Sequence, residues 1–352
     1  MTPPSYTDSG WQRAAADAPF LVAARGDEPS RRPAWIMRQA GRYLPEYREL
    51  RSTMSFLELC NTPDAACEVT LQPLRRYDLD AAILFTDLLV PVVPMGFGLE
   101  YNPGPVLQRT VETEADVDAL KIPDPETDLA PMLATARKVR AALPADKAVL
   151  GFVGAPFTMA CYLIEGSGSK YWSKTRRMMH GEPERFERLL ARIGDCLAPL
   201  ARALVNNGCD GIQVFDSWAS VLDQESYERF AAPASERLLE ATKESGAVAI
   251  NYVNGAYQHV GAMQRSCADV LAVDWRHDLG GFRDRVGTER ALQGNLDPTA
   301  LFCRSDDLAQ RVRRICSGAG RSGHIFNLGH GVLPQTDPDS LHVALEAART
   351  ET

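Results

Sequence analysis

DGIQVFDSWASVLDQESYERFAAPASERLLEATKESGAVAINY, residues 210–252, holds the fold in miniature. A short apolar run (210–216, DGIQVFD) gives way to polar residues, then to a long amphipathic stretch (223–245), then to a second apolar run (247–252, AVAINY). Near-continuous apolar character is what strands buried on both faces of a parallel sheet require. The stretch between has the spacing and length of a crossover helix. Outward in both directions the alternation repeats. Six further runs lie at 34–38 (AWIMR), 81–87 (AAILFTD), 148–154 (AVLGFVG), 269–274 (DVLAVD), 290–294 (RALQG) and 323–328 (GHIFNL). Helical patterns cover 63–77, 127–142, 184–207, 299–316 and 337–349.

Eight alternations predict an α/β fold, a single (β/α)8 TIM-type barrel with loop insertions. The alternative, an open doubly wound sheet, is weakened because no G-x-G-x-x-G follows any candidate strand. Two long gaps hold the insertions: a Pro/Gly-rich loop at 91–107 able to carry a hairpin, and a Gly-rich segment at 164–173 with the look of a mobile flap. Neither reads as an inter-domain linker. The expectation is one domain over 1–352, with roughly the first 20 residues at its periphery.

Composition narrows the class. At 45% hydrophobic and 24% charged, 352 residues can bury a large core. The balance of 38 basic against 46 acidic residues, −8 net, argues against nucleic acid or an anionic membrane as partner. No apolar run approaches the ~18 residues of a membrane span. The N-terminus has neither the basic region nor the apolar core of a secretory signal. Eight scattered cysteines without a C-x-x-C read as free thiols of a reducing cytoplasm. Within this acidic chain, residues 25–51 carry seven arginines against four acids.

In such barrels the active site collects at the C-terminal ends of the strands. There the sequence places Arg38 with Arg42, Asp87, Tyr162, Asp216–Ser217, Asn251, Asn254, Asp274, Asn295, Asp297 and His330. Arg38 and Arg42 flank Gly41, so one tight turn can aim both guanidiniums at a carboxylate; salt bridges to Glu46 or Glu49 are the alternative. Asp87 lies among apolar neighbours and needs donors, either a backbone cap, an arginine, or the N–H groups of a substrate. Tyr162 can hydrogen-bond a ligand or merely pack. His330, between Gly329 and Gly331, can reach a pocket or serve structure. Ser217 has no G-x-S-x-G around it, which argues against a serine hydrolase. No H-x-C, H-x-x-x-H or H-E-x-x-H pattern points to a metal.

MRQAGRYLPEYRELR, FTDLLVPV, GFVGAPFTMACYLIEG and FNLGHGVLP together resemble the uroporphyrinogen decarboxylase family, in that family's order and over residues 33 to 334. The resemblance implies a single barrel, a cytoplasmic homodimer, and no metal or organic cofactor. It implies removal of carbon dioxide from the four acetates of uroporphyrinogen, giving coproporphyrinogen on the route to haem. It further implies that Arg38, Gln39, Ala40, Gly41 and Arg42 form a substrate-binding stretch, and that Asp87 accepts the pyrrole N–H groups. Tyr162, Ser217 and His330 become substrate contacts, with Arg38, Asp87, Tyr162 and His330 as catalytic candidates. The proton donor stays open between Arg38, His330, Tyr162 and a bound water. A zinc methyltransferase and a non-catalytic tetrapyrrole carrier are the competing readings.

Overall fold

Seven parallel strands follow one another around a curled sheet in the order β1 (Ala81–Ile83), β4 (Ala148–Gly154), β5 (Gly211–Asp216), β6 (Val248–Val253), β7 (Val270–Val273), β8 (Ala291–Leu296) and β9 (His324–Leu328). Strands β2 (Leu99–Tyr101) and β3 (Pro105–Leu107) form a separate antiparallel hairpin inside the 91–107 insertion. The computed structural model describes residues 12–350. Helices alternate with the strands, among them Pro63–Arg76, Ala130–Ala142, Pro183–Asn206, Ala232–Glu244, Ser305–Ala319 and Pro338–Arg349. This is the (β/α)8 barrel that the alternation predicts.

The eighth stave differs from expectation. Residues 34–38 form no regular strand; Ala34 alone bridges Phe326 in parallel. Phe326 donates its N–H to Pro33 O (2.8 Å), and on the other side Asp80 donates its N–H to Ala34 O (2.8 Å). Beyond that, side chains take over the ladder. Ala34 N–H donates to Asp80 Oδ2 (2.8 Å), Ile36 N–H to Gln39 Oε1 (3.1 Å) and Met37 N–H to Asn327 Oδ1 (2.8 Å). The barrel closes without leaving these buried donors unpaired, which matters because each orphan costs about 1–3 kcal/mol.

Inward and outward side chains divide along every strand, as a period of two dictates. On β5, Ile212 and Val214 face the helices and Phe215 faces the lumen. Across the lumen Trp35 Nε1 donates to Gln293 Oε1 and Gln293 Nε2 to Gln213 Oε1, both at 2.9 Å. Below them the helix Pro19–Ala24 buries Phe20, Ala23 and Ala24 against the inner strand faces. Phe20, at the edge of the expected periphery, thus belongs to the barrel floor, while Ala16 and Asp17 are exposed; residues 1–11 are outside the described residues.

The bottom is stapled by a repeated device. An aspartate just before a strand accepts an N–H from the start of the neighbouring stave: Asp210 from Val149 (2.8 Å), Asp269 from Ala249 (2.9 Å), and Asp80 from Ala34. Asp210 also accepts Ala14 N–H (2.9 Å) and pairs with Arg140 at 3.1 Å, both side chains almost wholly buried.

Two further helices, Pro156–Glu165 and Ser173–Gly181, rise from the strand-end side of the sheet. The first is buried on nearly every face, so it shows no amphipathic period to read. The segment between them, expected as a flap, is tied down: Leu107 N–H donates to Gly166 O (2.7 Å), Ser167 bridges Val106, and Trp172 is fully buried. All eight cysteines are free thiols. No helix among the described residues is long and apolar enough to cross a membrane.

Removing one staple exposes its role. Asp210→Ala leaves the Arg140 guanidinium buried without its counter-charge, and should cost about 3–5 kcal/mol. For a chain this long that lowers the melting temperature by about 4–7 °C. Scanning calorimetry checks it, and turnover per folded molecule should be preserved.

Candidate active site

The upper lumen is lined by Met37, Ile83, Leu88, Phe152, Phe215 and Tyr252, one contiguous apolar group. The three rings pack against one another: Phe152 and Phe215 centroids are 5.6 Å apart, Phe215 and Tyr252 5.4 Å. Such a floor suits a flat, largely apolar body, with orientation left to the polar groups above it.

Directly after the closing stave the chain turns sharply. Arg38 sits in the left-handed region (φ 62°), a conformation that costs a non-glycine residue about 1–2 kcal/mol and has to be enforced by its surroundings. The neighbours enforce it. Met37 is fixed by Asn327, Gln39 is buried with its amide bonded to Ile36 N–H and Ala81 O, and Tyr43 donates its hydroxyl to Gln39 O (2.7 Å). A Cβ at Gly41 would lie 3.3 Å from Arg38 O, a tight approach that leaves little room for a side chain there. Ala40 is half-buried against the outer core. Arg38 and Arg42 are both exposed. Neither guanidinium makes a hydrogen bond or ion pair among the described residues. The salt-bridge alternative fails for Glu46, whose carboxylate is held by Arg76 through two bonds of 2.9 Å.

Asp87 follows β1 and accepts Leu89 N–H on Oδ1 (2.9 Å). That backbone cap is the one well-formed hydrogen bond to its carboxylate among the described residues. Burial raises its pKa above the usual carboxylate range; the Leu89 amide, the Tyr101 hydroxyl and Arg38 oppose the shift. The hairpin brings Tyr101 to the site, and its buried hydroxyl lacks a well-formed hydrogen bond. Tyr162, on the helix Pro156–Glu165, packs edge-on against Trp172 (5.3 Å) and Trp218 (6.2 Å). Burial, with the Asp87 charge nearby, pushes its hydroxyl up to about 12, so it stays protonated.

His330 stands over Tyr252 (6.4 Å) and Trp275 (5.9 Å), both edge-on. Burial, then the Arg38 and Arg276 charges, lowers its pKa to about 4. The ring is therefore neutral at physiological pH. Its Nδ1 accepts Gly331 N–H (2.8 Å), which leaves the ring proton on Nε2. Gly331 has a second purpose: a Cβ there would overlap the Arg38 side chain from Cγ to Nε. Ser217 lies half-buried after β5, its carbonyl held by Asn254 Nδ2 (2.8 Å). Its neighbour Asp216 points instead into the helix layer, where it accepts the Thr158 hydroxyl (2.7 Å) and burial raises it to about 7. Among the described residues no cluster of His, Cys, Asp or Glu could hold a metal.

The arrangement thus offers free cations, one underbonded carboxylate and neutral hydroxyl and imidazole donors above an aromatic floor. Residues 15–351 match the profile described as Uroporphyrinogen decarboxylase (URO-D). The chain belongs to the uroporphyrinogen decarboxylase family. Curated relatives of that name include those of Trichlorobacter lovleyi, 44% identical over 91% of this chain and 95% of theirs, and Syntrophotalea carbinolica, 45% identical over 92% and 95%. Among solved structures, a methyltransferase from Methanosarcina mazei superposes with a TM-score of 0.80 at 17% identity, covering 96% of this chain and 98% of that one. That likeness concerns the fold alone. Of the residues expected at the site, Asp87, Tyr162 and His330 all lie within the reach of the Arg38 charge, while Arg42 follows on the same turn and Ser217 follows β5. The sequence reading missed Tyr101 and the Phe152–Phe215–Tyr252 floor. The only sequence signal for the floor was an aromatic residue near the end of three consecutive strands.

Gly331→Ala should displace the Arg38 side chain while leaving the fold intact. The expected result is a roughly tenfold rise in KM, the loss of about one charge-assisted contact, with an unchanged melting temperature. Because His330 titrates near 4, the rate profile between pH 5 and 8 should keep its shape in His330→Gln.

Proposed function

We propose that this chain removes carbon dioxide from the four acetate side chains of uroporphyrinogen, leaving methyls and giving coproporphyrinogen for haem and related tetrapyrroles. The observation that carries this reading is Asp87, a carboxylate with a single backbone donor, set among apolar residues within reach of an unpaired arginine. Four pyrrole N–H groups pointing the same way supply the donors it lacks. Arg38 and Arg42 have open guanidinium forks for the substrate's carboxylates, and the aromatic floor takes the ring edges. Ser217, Tyr162 and the Nε2–H of His330 add neutral donors around the rim.

The chemistry uses the substrate as its own electron sink, so no cofactor is invoked. A proton adds to the ring carbon beside the acetate-bearing carbon and makes the pyrrole cationic. The bond to the carboxylate carbon then breaks. Its electron pair forms an exocyclic methylene, carbon dioxide leaves, and the ring is neutral again. A second proton converts the methylene to methyl, and loss of the first proton from the ring restores the pyrrole. Each acetate thereby consumes one proton net. Burial makes the charge of Asp87 costly until a cationic ring faces it, so its attraction is strongest at the cationic step. Neutral His330 offers a hydrogen bond rather than an imidazolium acid. Eight free thiols support a cytoplasmic setting, and a homodimer is the assembly that the family resemblance suggests.

Asp87→Asn separates function from stability. A carboxyl whose folded pKa is raised binds more protons folded than unfolded, so its ionised form costs stability once the pH exceeds the unfolded value near 4. Asparagine removes that cost. We expect a melting temperature equal to or above the parent's, and turnover lower by about 100-fold or more. Near-normal turnover would overturn the anchoring role. The direct assay is anaerobic incubation of chelator-treated protein with uroporphyrinogen, followed by oxidation and separation by carboxylate number. Seven-, six-, five- and four-carboxylate products support the reading. Binding with only the eight-carboxylate species recovered points to a carrier, and restoration by zinc points to a metal-dependent transferase.

A further inference from the structure

The mouth contains a third arginine that the reading above does not use. Arg276 follows β7 by three residues and is held from below. Its Nη1 donates to Asp274 Oδ2 and to Asn254 Oδ1. Asp274 is fully buried and also accepts Gly255 N–H (3.1 Å), while Asn254 in turn holds Ser217 O (2.8 Å). The guanidinium lies 4.3 Å from the centroid of the Trp275 ring, which fixes its plane. Yet 42% of the side chain is exposed. The hydrogen bonds all use Nη1, so the Nε–Nη2 edge, the one that grips a carboxylate through two parallel bonds, has no partner among the described residues. Its position is also informative. The charges of Arg276 and Arg38 both act on His330 and on Tyr252, so the two cations come to the same pair of groups from different parts of the chain.

A surface salt bridge would not need this construction. Asp274 takes its bond from one guanidinium nitrogen, and Trp275 and Asn254 then orient the free edge. We propose that Arg276 is a specificity-determining residue that grips one carboxylate of the bound macrocycle, in addition to those held at the Arg38–Arg42 turn. The proposal rests on the decarboxylase reading for the identity of its ligand. Its role is to bind and orient; the group it holds differs from the acetate losing carbon dioxide, so the loss on mutation falls on binding.

The test compares parent, Arg276→Gln and Arg276→Lys by two readouts under anaerobic conditions. One is equilibrium binding of uroporphyrinogen followed by tryptophan fluorescence; the other is steady-state decarboxylation. Glutamine should weaken Kd and raise KM about tenfold, the worth of one charge-assisted contact, with the effect on kcat much smaller. Lysine, which keeps the charge but not the fork, should recover part of that loss. A lower melting temperature and kcat with Kd unchanged would mean a structural role and overturn the proposal. Normal turnover with unchanged Kd and KM in both variants overturns it alone. A parent chain that neither binds nor decarboxylates uroporphyrinogen overturns the functional reading and, with it, the ligand assigned to Arg276. Binding without turnover, weakened in the glutamine variant, leaves Arg276 in place and removes only the catalytic reading.

Discussion

Closure of the barrel through Ala34 is the constraint on which the site depends. One residue links Phe326 on one side to Asp80 on the other; Trp35 N–H still donates to Phe326 O (3.3 Å), and the next two donors, Ile36 and Met37, are satisfied by side chains. Four residues beyond that bridge stands Arg38, already in a left-handed turn. The same amide of Gln39 that completes the closure fixes the residue after the arginine. Fold and binding turn are therefore one hydrogen-bonded unit. A slip of the stave by one residue would orphan Met37 N–H and swing Arg38 out of the mouth.

The two ends of the barrel manage polar groups in opposite ways. At the bottom, Asp80, Asp210 and Asp269 are saturated by strand N–H groups and cations. At the top, the Asp87 carboxylate has one well-formed donor, the Tyr101 hydroxyl lacks a formed bond, and among the described residues the Arg38 and Arg42 guanidiniums have no partner. Unsatisfied groups cost stability, and they collect where a ligand would satisfy them. The saturated end offsets that cost.

Charge follows the same division. The protein is acidic overall, but within the mouth His330 and Tyr162 are held neutral by burial. The field there is set by the arginines, by Asp87 and by Asp274 beneath Arg276. Low effective dielectric makes each of these charges count for more than it would on the surface.

Residue order alone determined the class of fold, because strands buried on both faces leave short continuous apolar runs and amphipathic helices a 3.6-residue period wherever they occur. It also determined the cations of MRQAGRYLPEYR, the isolated Asp87 and the glycines around His330, since each is unusual in its local context. Other features carried no local signal. The stave at 34–38 reads as a strand because its side chains are those of a strand; only the spatial approach of Asp80, Gln39 and Asn327 replaces its ladder. Helix Pro156–Glu165 is apolar all round, so periodicity is silent there. Asp216 and Ser217 are adjacent in sequence, yet Asp216 turns into the helix layer to accept the Thr158 hydroxyl and Ser217 stays half-buried at the end of β5. Tyr101 reaches Asp87 through a hairpin, and Arg276 reaches His330 through a strand far along the chain. Such meetings depend on how the barrel closes, and closure is a property of the whole sheet rather than of any segment.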